Sequence, residues 1–273
     1  MNVKLQASGS PFAHTISSCL NIEPKNHIWV NEEDPEAEAI VFMDYDHRGG
    51  FDYTGDKKKV LWLCESRNIT KPQHADLYNN TEEFLDVYDL VLTHDKELLE
   101  KDSRLVYVPN AANLSWVKEP QIYPKSKLVS MISSRKTMCE GHKYRLQWVD
   151  RLKNDLDLYG RGFNEIKNKE EGLSDYMFSI VIENGSYNTY FTEKITDCFA
   201  TGTIPVYYGS PDIGEHFNED GIIKLNEDFD MNNLSANLYY KKMNAIKENF
   251  DIVQKMQMPD DIIFSLIKER KLV

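Results

Sequence analysis

The alternation of short apolar runs with polar, helix-compatible stretches constrains this chain more than any other feature. Residues 39–43, 60–64 and 90–93 are apolar runs bounded by charge, and 3–5 and 105–108 are weaker examples. A short run with no polar alternation suits a strand covered on both faces of a parallel sheet. The stretches 81–87 and 95–101 suit helices, as does 12–20 after the turn Ser8-Gly9-Ser10-Pro11. Segment 118–125, with Pro120 and Pro124, reads as a linker. A second alternation follows, with strands expected over 128–132, 156–159, 178–182 and 204–208. Its helices are expected over 142–154, 192–200, 232–250 and 259–268, and Tyr144, Trp148, Val149 and Leu152 share one face of the first. Strands alternating with helices predict an α/β class. We therefore expect two doubly wound, Rossmann-like domains, 1–120 and 121–273. They would face each other across a cleft, because such sheets bind ligands beyond the carboxyl ends of their strands.

The chain carries 32 Lys and Arg against 44 Asp and Glu, a formal charge of −12. That balance argues against a general nucleic-acid partner or an anionic membrane surface, which both ask for a basic face. No apolar run approaches the ~18 residues that cross a bilayer, and residues 1–20 resemble neither a signal peptide nor an anchor. A soluble, cytoplasmic protein is expected. The four cysteines, Cys19, Cys64, Cys139 and Cys198, are far apart, which points to reduced thiols and to neither a disulfide set nor a zinc site. Nothing in the sequence sets an oligomeric state. One window departs from the acidic whole: residues 125–153 hold eight basic residues against Glu140 and Asp150, a local +6. A charge run is usually a solvated helix face; the sharper reading is an anion site.

The densest signal lies between Tyr176 and Pro211, which reads as buried strand, polar loop, helix start, strand and glycine turn. Glu183 and Asn184 end the strand, where polar groups need partners. Thr192 suits an N-cap and Glu193 the first helical turn. A helix start there offers unpaired N–H groups to a phosphate, and Lys194 adds a charge within reach of the same anion. Gly209 allows a close turn past a ligand. Tyr187 and Tyr190 are candidate walls of the pocket.

This segment resembles the donor-binding motif of the family 10 glycosyltransferases, the α-1,3/4-fucosyltransferases. Three pieces carry the resemblance: Ile182-Glu183-Asn184, Tyr190-Phe191-Thr192-Glu193-Lys194 and Ile204-Pro205-Val206-Tyr207-Tyr208-Gly209. Upstream, residues 128–134 are similar to the family's first donor-domain strand, with Ser133-Ser134-Arg135 in place of its Ser-Asn ending. Tyr159-Gly160 resembles the turn after the next strand, and Arg145 falls where the family carries an arginine that binds the donor pyrophosphate. Residues 61–66 resemble the strand leading to a Glu-Ser-Pro triplet whose acid is the family's candidate base; here that acid is Glu65, and Arg67 replaces the proline. The resemblance does not extend to residues 1–50.

The resemblance implies a GT-B-like α/β fold. It implies an enzyme that transfers L-fucose from GDP-fucose to a hydroxyl of a glycan acceptor, with inversion and with no required metal or other cofactor. Glu65 would be the catalytic base. Arg145, Glu183, Asn184, Tyr187, Tyr190, Thr192, Glu193, Lys194 and Gly209 would hold the donor. Plainer readings stand beside these: solvated cations for Arg145 and Lys194, loop bracing for Glu183, packing for the tyrosines. Asp46 rivals Glu65 as base, and Asp44-Tyr45-Asp46 is an Asp-x-Asp of the kind that elsewhere holds a metal–diphosphate, though no metal is expected here. His14 is a weaker candidate for the acceptor side. Two further functions stay open, a GT-B transferase using another nucleotide sugar and a non-catalytic nucleotide-sugar or glycan-binding protein.

Overall fold

A computed structural model describes residues 3–9, 17–18, 22–110 and 116–273. The helix expected over 12–20 falls outside them except for Ser17 and Ser18, and so do His14 and Cys19. The chain divides into two compact units, Met1–Asn110 with Gln257–Val273, and Ala111–Met256.

The first unit is built on a six-stranded parallel sheet. Its elements are β1 (Val3–Ser8), β2 (His27–Val30), β3 (Ala39–Met43), α1 (Gly49–Asp52), β4 (Lys58–Leu63), α2 (Lys71–Asn79), α3 (Thr81–Val87), β5 (Leu90–Thr93), α4 (Lys96–Lys101) and β6 (Val106–Tyr107). The sheet order is β2-β1-β3-β4-β5-β6, so strand order reverses between β1 and β3. Alternate residues of β3 enter different cores: Ala39, Val41 and Met43 on one face, Ile40 and Phe42 on the other. That is why β3 is apolar without alternation: it has no solvent face. β2 was not expected from the sequence. It is a short edge strand in which buried His27 and Trp29 alternate with exposed Ile28 and half-buried Val30.

The second unit repeats the plan with five parallel strands. Its elements are β7 (Lys127–Ile132), α5 (Glu140–Leu152), β8 (Asp157–Tyr159), α6 (Glu170–Leu173), β9 (Tyr176–Ile182), α7 (Glu193–Thr201), β10 (Ile204–Tyr208), β11 (Ile223–Lys224), α8 (Ala236–Lys241) and α9 (Met243–Lys255). The order is β11-β10-β9-β7-β8, with the reversal between β7 and β9. All seven residues of β9 are buried. Gly202 closes α7 in the left-handed region at φ 70°, where a glycine carries no Cβ penalty. The single helix expected over 232–250 is two helices. Ser235 caps α8 by accepting from the Leu238 N–H, and the chain leaves helical geometry at Lys242 before α9 begins.

The last helix, α10 (Pro259–Glu269), belongs to the first unit. Ile263, Phe264 and Ile267 join the core of Leu5, Trp29 and Val41, and Asp260 accepts from Trp29 Nε1 at 2.6 Å. The division expected at 120/121 therefore differs from the observed one at both ends. Segment 118–125 is not a free linker either. The Gln121 and Tyr123 N–H groups donate to the Ala200 and Thr201 carbonyls at 3.0 and 3.3 Å. Lys125 is half-buried rather than solvated: its ammonium donates to the carbonyls of Leu173, Ser174 and Thr201 and to Thr203 Oγ1. Burial pushes its pKa down to about 7.

Candidate functional site

The strand-order reversal of the second unit opens a cavity of about 250 Å³. Ser133 and Ser134 follow β7, Gly160 and Arg161 follow β8, and Glu193 and Lys194 start α7. This is where a doubly wound sheet binds ligands, beyond strand ends at a topological switch point. Arg145 reaches the cavity from the second turn of α5.

Arg145 is the unusual residue of this site. It is only 6% exposed, and among the described residues it makes no ion pair; its Nε has no hydrogen-bond partner. Burial works against the guanidinium charge and lowers its pKa, with Glu183 the leading opposing influence. A buried, unpaired cation is costly to the fold, so its placement beside a cavity makes this a candidate anion site. Four other cations of the basic window behave differently. Lys127 pairs with Asp157, Lys143 with Glu140, Arg151 with Glu227 and Lys153 with Asp150. Neighbouring His142 accepts from the Met138 N–H at 3.1 Å. Burial first, then the charge of Arg145, depresses His142 to about 4, which leaves the imidazole neutral near pH 7.

Lys194 is held instead of stranded. Glu183, fully buried at the end of β9, accepts from the Thr192 N–H at 2.8 Å, from Thr192 Oγ1 at 2.8 Å and from Lys194 Nζ at 3.1 Å. Thr192 caps α7 by accepting from the Lys194 N–H, and its hydroxyl also accepts from Lys194 Nζ at 2.9 Å. The strand end, the cap and the cation thus form one braced unit. Glu183 satisfies the loop rather than facing the cavity. Burial would raise the pKa of Glu193, but Lys194 and Lys169 outweigh it and bring it down to about 2.

Of the expected donor residues, Arg145, Glu193 and Lys194 line the cavity. Glu183 and Thr192 lie behind them as bracing. Tyr187 and Tyr190 are buried with their rings stacked at 4.7 Å. The Asn184 carbonyl accepts from Cys139 Sγ at 3.4 Å, next to the start of α5. Gly209 lines a second cavity of about 400 Å³ with Tyr144 and Tyr208. It also has a packing reason to be glycine, since a Cβ there would lie 2.1 Å from Tyr207 Oη. Lys169 and Asp197 line the first cavity and were missed by the sequence reading, since nothing in the local pattern announces their burial.

In the first unit, Glu65 follows β4, half-buried, with its Oε1 accepting from the Ser66 N–H at 2.6 Å. Its backbone is fixed by Asp44, fully buried, whose Oδ1 accepts from the Cys64 and Glu65 N–H groups at 3.0 Å each. Oδ2 accepts from Cys64 Sγ at 2.9 Å. Asp44 is thus spent on bracing, which removes it as half of an Asp-x-Asp metal site. Asp46 accepts from the Ser8 hydroxyl. Arg67, in the place of the family's proline, pairs with Asp95 at 3.2 Å and with Glu97. His74, Asp95 and Glu97 bring potential ligand atoms within 4.8 Å of one another, but the Arg67 guanidinium already neutralises both carboxylates. Cys64, Cys139 and Cys198 are buried free thiols. No helix among the described residues is long and apolar enough to cross a membrane.

The fold, of GT-B-like α/β class, is that of crystal structures titled alpha1,3-fucosyltransferase. One aligns over 99% of this chain and 90% of its own with a TM-score of 0.53 at 16% identity, and another, with GDP-fucose, gives 0.50. Residues 122–252 match glycosyltransferase family 10 (fucosyltransferase), C-terminal region. That match falls within the second unit. An alpha-(1,3)-fucosyltransferase of Helicobacter pylori is 41% identical over 66 residues, 24% of this chain and 14% of that protein. A GDP-fucose protein O-fucosyltransferase 3 of Rattus norvegicus is 28% identical over 154 residues, 51% of this chain and 31% of that protein. The chain thus spans less than a third of either curated relative.

Proposed function

We propose that this protein is a fucosyltransferase that moves L-fucose from GDP-fucose to a hydroxyl of a glycan acceptor, with inversion at the transferred carbon. The observation that carries the reading is Arg145, a buried cation without an ion pair beside the cavity at the sheet's switch point. The family match over 122–252 supports the choice of donor.

In this reading the donor diphosphate lies between Arg145 and Lys194, at the start of α7. Both cations neutralise the charge that builds on GDP as the glycosidic C–O bond breaks. Glu183 and Thr192 hold Lys194 in place before the donor arrives, so little reorganisation is needed. Glu193 accepts from donor hydroxyls. Glu65 takes the proton of the acceptor hydroxyl as the new bond forms on the face opposite the leaving group. No protein-bound metal has a part in these steps.

The test is a nucleotide panel read by thermal shift and product mass. GDP should raise the melting temperature while UDP and CMP do not, and GDP-fucose with a mixed glycan set should give a product heavier by one fucosyl unit. Stabilisation by UDP in place of GDP would move the assignment to another donor. GDP binding with neither transfer nor slow donor hydrolysis would leave a binding protein.

A further inference from the structure

Lys169 sits just before α6, at the base of the cavity, in a place no motif marks. Its side chain is 18% exposed, and its ammonium lies 2.5 Å from Asp197 Oδ2 and 3.4 Å from Glu193 Oε1. The face of Trp116 covers it, with the ring centre 5.4 Å from Nζ. Glu193 and Asp197 stand four residues apart on α7 and therefore share one helix face. Two carboxylates so placed repel each other, and Asp197 is fully buried. One ammonium bridging both removes the repulsion and, together with Lys194 Nζ at 3.8 Å from the same Glu193 oxygen, fixes where the Glu193 carboxylate points. Asp197 in turn holds the ammonium through Oδ2, while its Oδ1 accepts from the Trp116 backbone N–H at 3.4 Å.

We propose that Lys169, anchored by Asp197, is a positioning residue that orients Glu193 toward the nucleoside hydroxyls of the donor. The proposal rests on the donor reading above. It assigns Lys169 to the nucleoside half of the ligand, whereas Arg145 serves the diphosphate. The contacts argue for this division: the Lys169 ammonium meets Asp197 and Glu193, while the Arg145 guanidinium meets no carboxylate among the described residues.

Guanosine and GDP separate the two roles, because guanosine lacks the phosphates. Both are titrated against the full chain by ligand-observed NMR, with folding checked by circular dichroism. Lys169→Met should weaken guanosine and GDP by the same factor, about tenfold. Arg145→Met should weaken GDP strongly and leave guanosine within about twofold. In a Glu193→Gln background, Lys169→Met should add less than about twofold, because the route through Glu193 is already cut. If Lys169→Met does not fold, Lys169→Met/Asp197→Asn removes both charges of the buried pair and should show the same equal loss. A folded variant that binds guanosine like the wild type overturns the proposal, whatever GDP does. So does an additive effect in the Glu193→Gln background. If the wild type binds neither ligand, the donor reading itself fails and the role of Lys169 falls with it.

Discussion

The two sheets share a strand order at their switch points and differ in the charge they place there. Each reverses direction between its first strand and its third. In the second unit the strand ends meet Arg145 and Lys194; in the first they meet Asp44, Asp46 and Glu65. The same topology therefore offers a cationic site in one unit and an acidic one in the other. A parallel sheet supplies a place for a ligand; the loop residues decide its chemistry. A cationic end suits an anionic leaving group, and an acidic end suits proton removal from a hydroxyl.

The sharpest way to break this pairing is Glu65→Gln. Fucosyl transfer should fall by about 10²–10⁴-fold, the range of a lost general base, while GDP binding by calorimetry stays at the wild-type level. Full turnover would remove Glu65 from the mechanism and point to Asp46. The two cations should then part company. Lys194→Met leaves Glu183 buried without its ion-pair partner and should cost about 3 kcal/mol of stability in urea unfolding. Arg145→Met should weaken GDP by about 2–3 kcal/mol, the value of charge-assisted hydrogen bonds, yet leave the ligand-free protein as stable as the wild type or more so. Equal destabilisation by both would show that Arg145 has a structural partner after all.

The smallest effect concerns Asp44. Burial pushes its carboxyl up to about 6, above the ordinary carboxylate range. The neutral form therefore favours the fold. This contribution is complete below the unfolded value near pH 4 and declines as pH rises through 6. Asp44→Asn should flatten the stability profile over that window relative to the wild type, with little change below pH 4. Parallel profiles from pH 4 to 7.5 would show that Asp44 does not titrate there.

Legibility followed burial and locality. β3, β5 and β10 are expected and observed at the same residues, because an unbroken apolar run between polar neighbours has one reading in a doubly covered sheet. β2 escaped, since four alternating residues at an edge look like any loop, and α2 escaped because it is mostly polar. In the site, Thr192 was legible as a cap because capping is local chemistry. Arg145 was placed by resemblance; its lack of an ion pair is a tertiary fact. Lys125 illustrates the limit. A lysine between a proline and a serine looks like surface, yet carbonyls from residues 173, 174 and 201 make its burial possible.

The position of α10 bears on the order in which the molecule assembles. The second unit is an insertion, with both of its ends tied to the first. During synthesis residues 3–110 emerge before the second unit, but the core containing Leu5, Trp29 and Val41 lacks Ile263, Phe264 and Ile267 until the second unit has been made. The first unit is therefore begun before the second and completed after it. Until then it exposes an apolar surface that the second unit, contiguous in sequence, does not share. A nascent chain stalled after residue 256 should carry a folded second unit and a first unit dependent on chaperones.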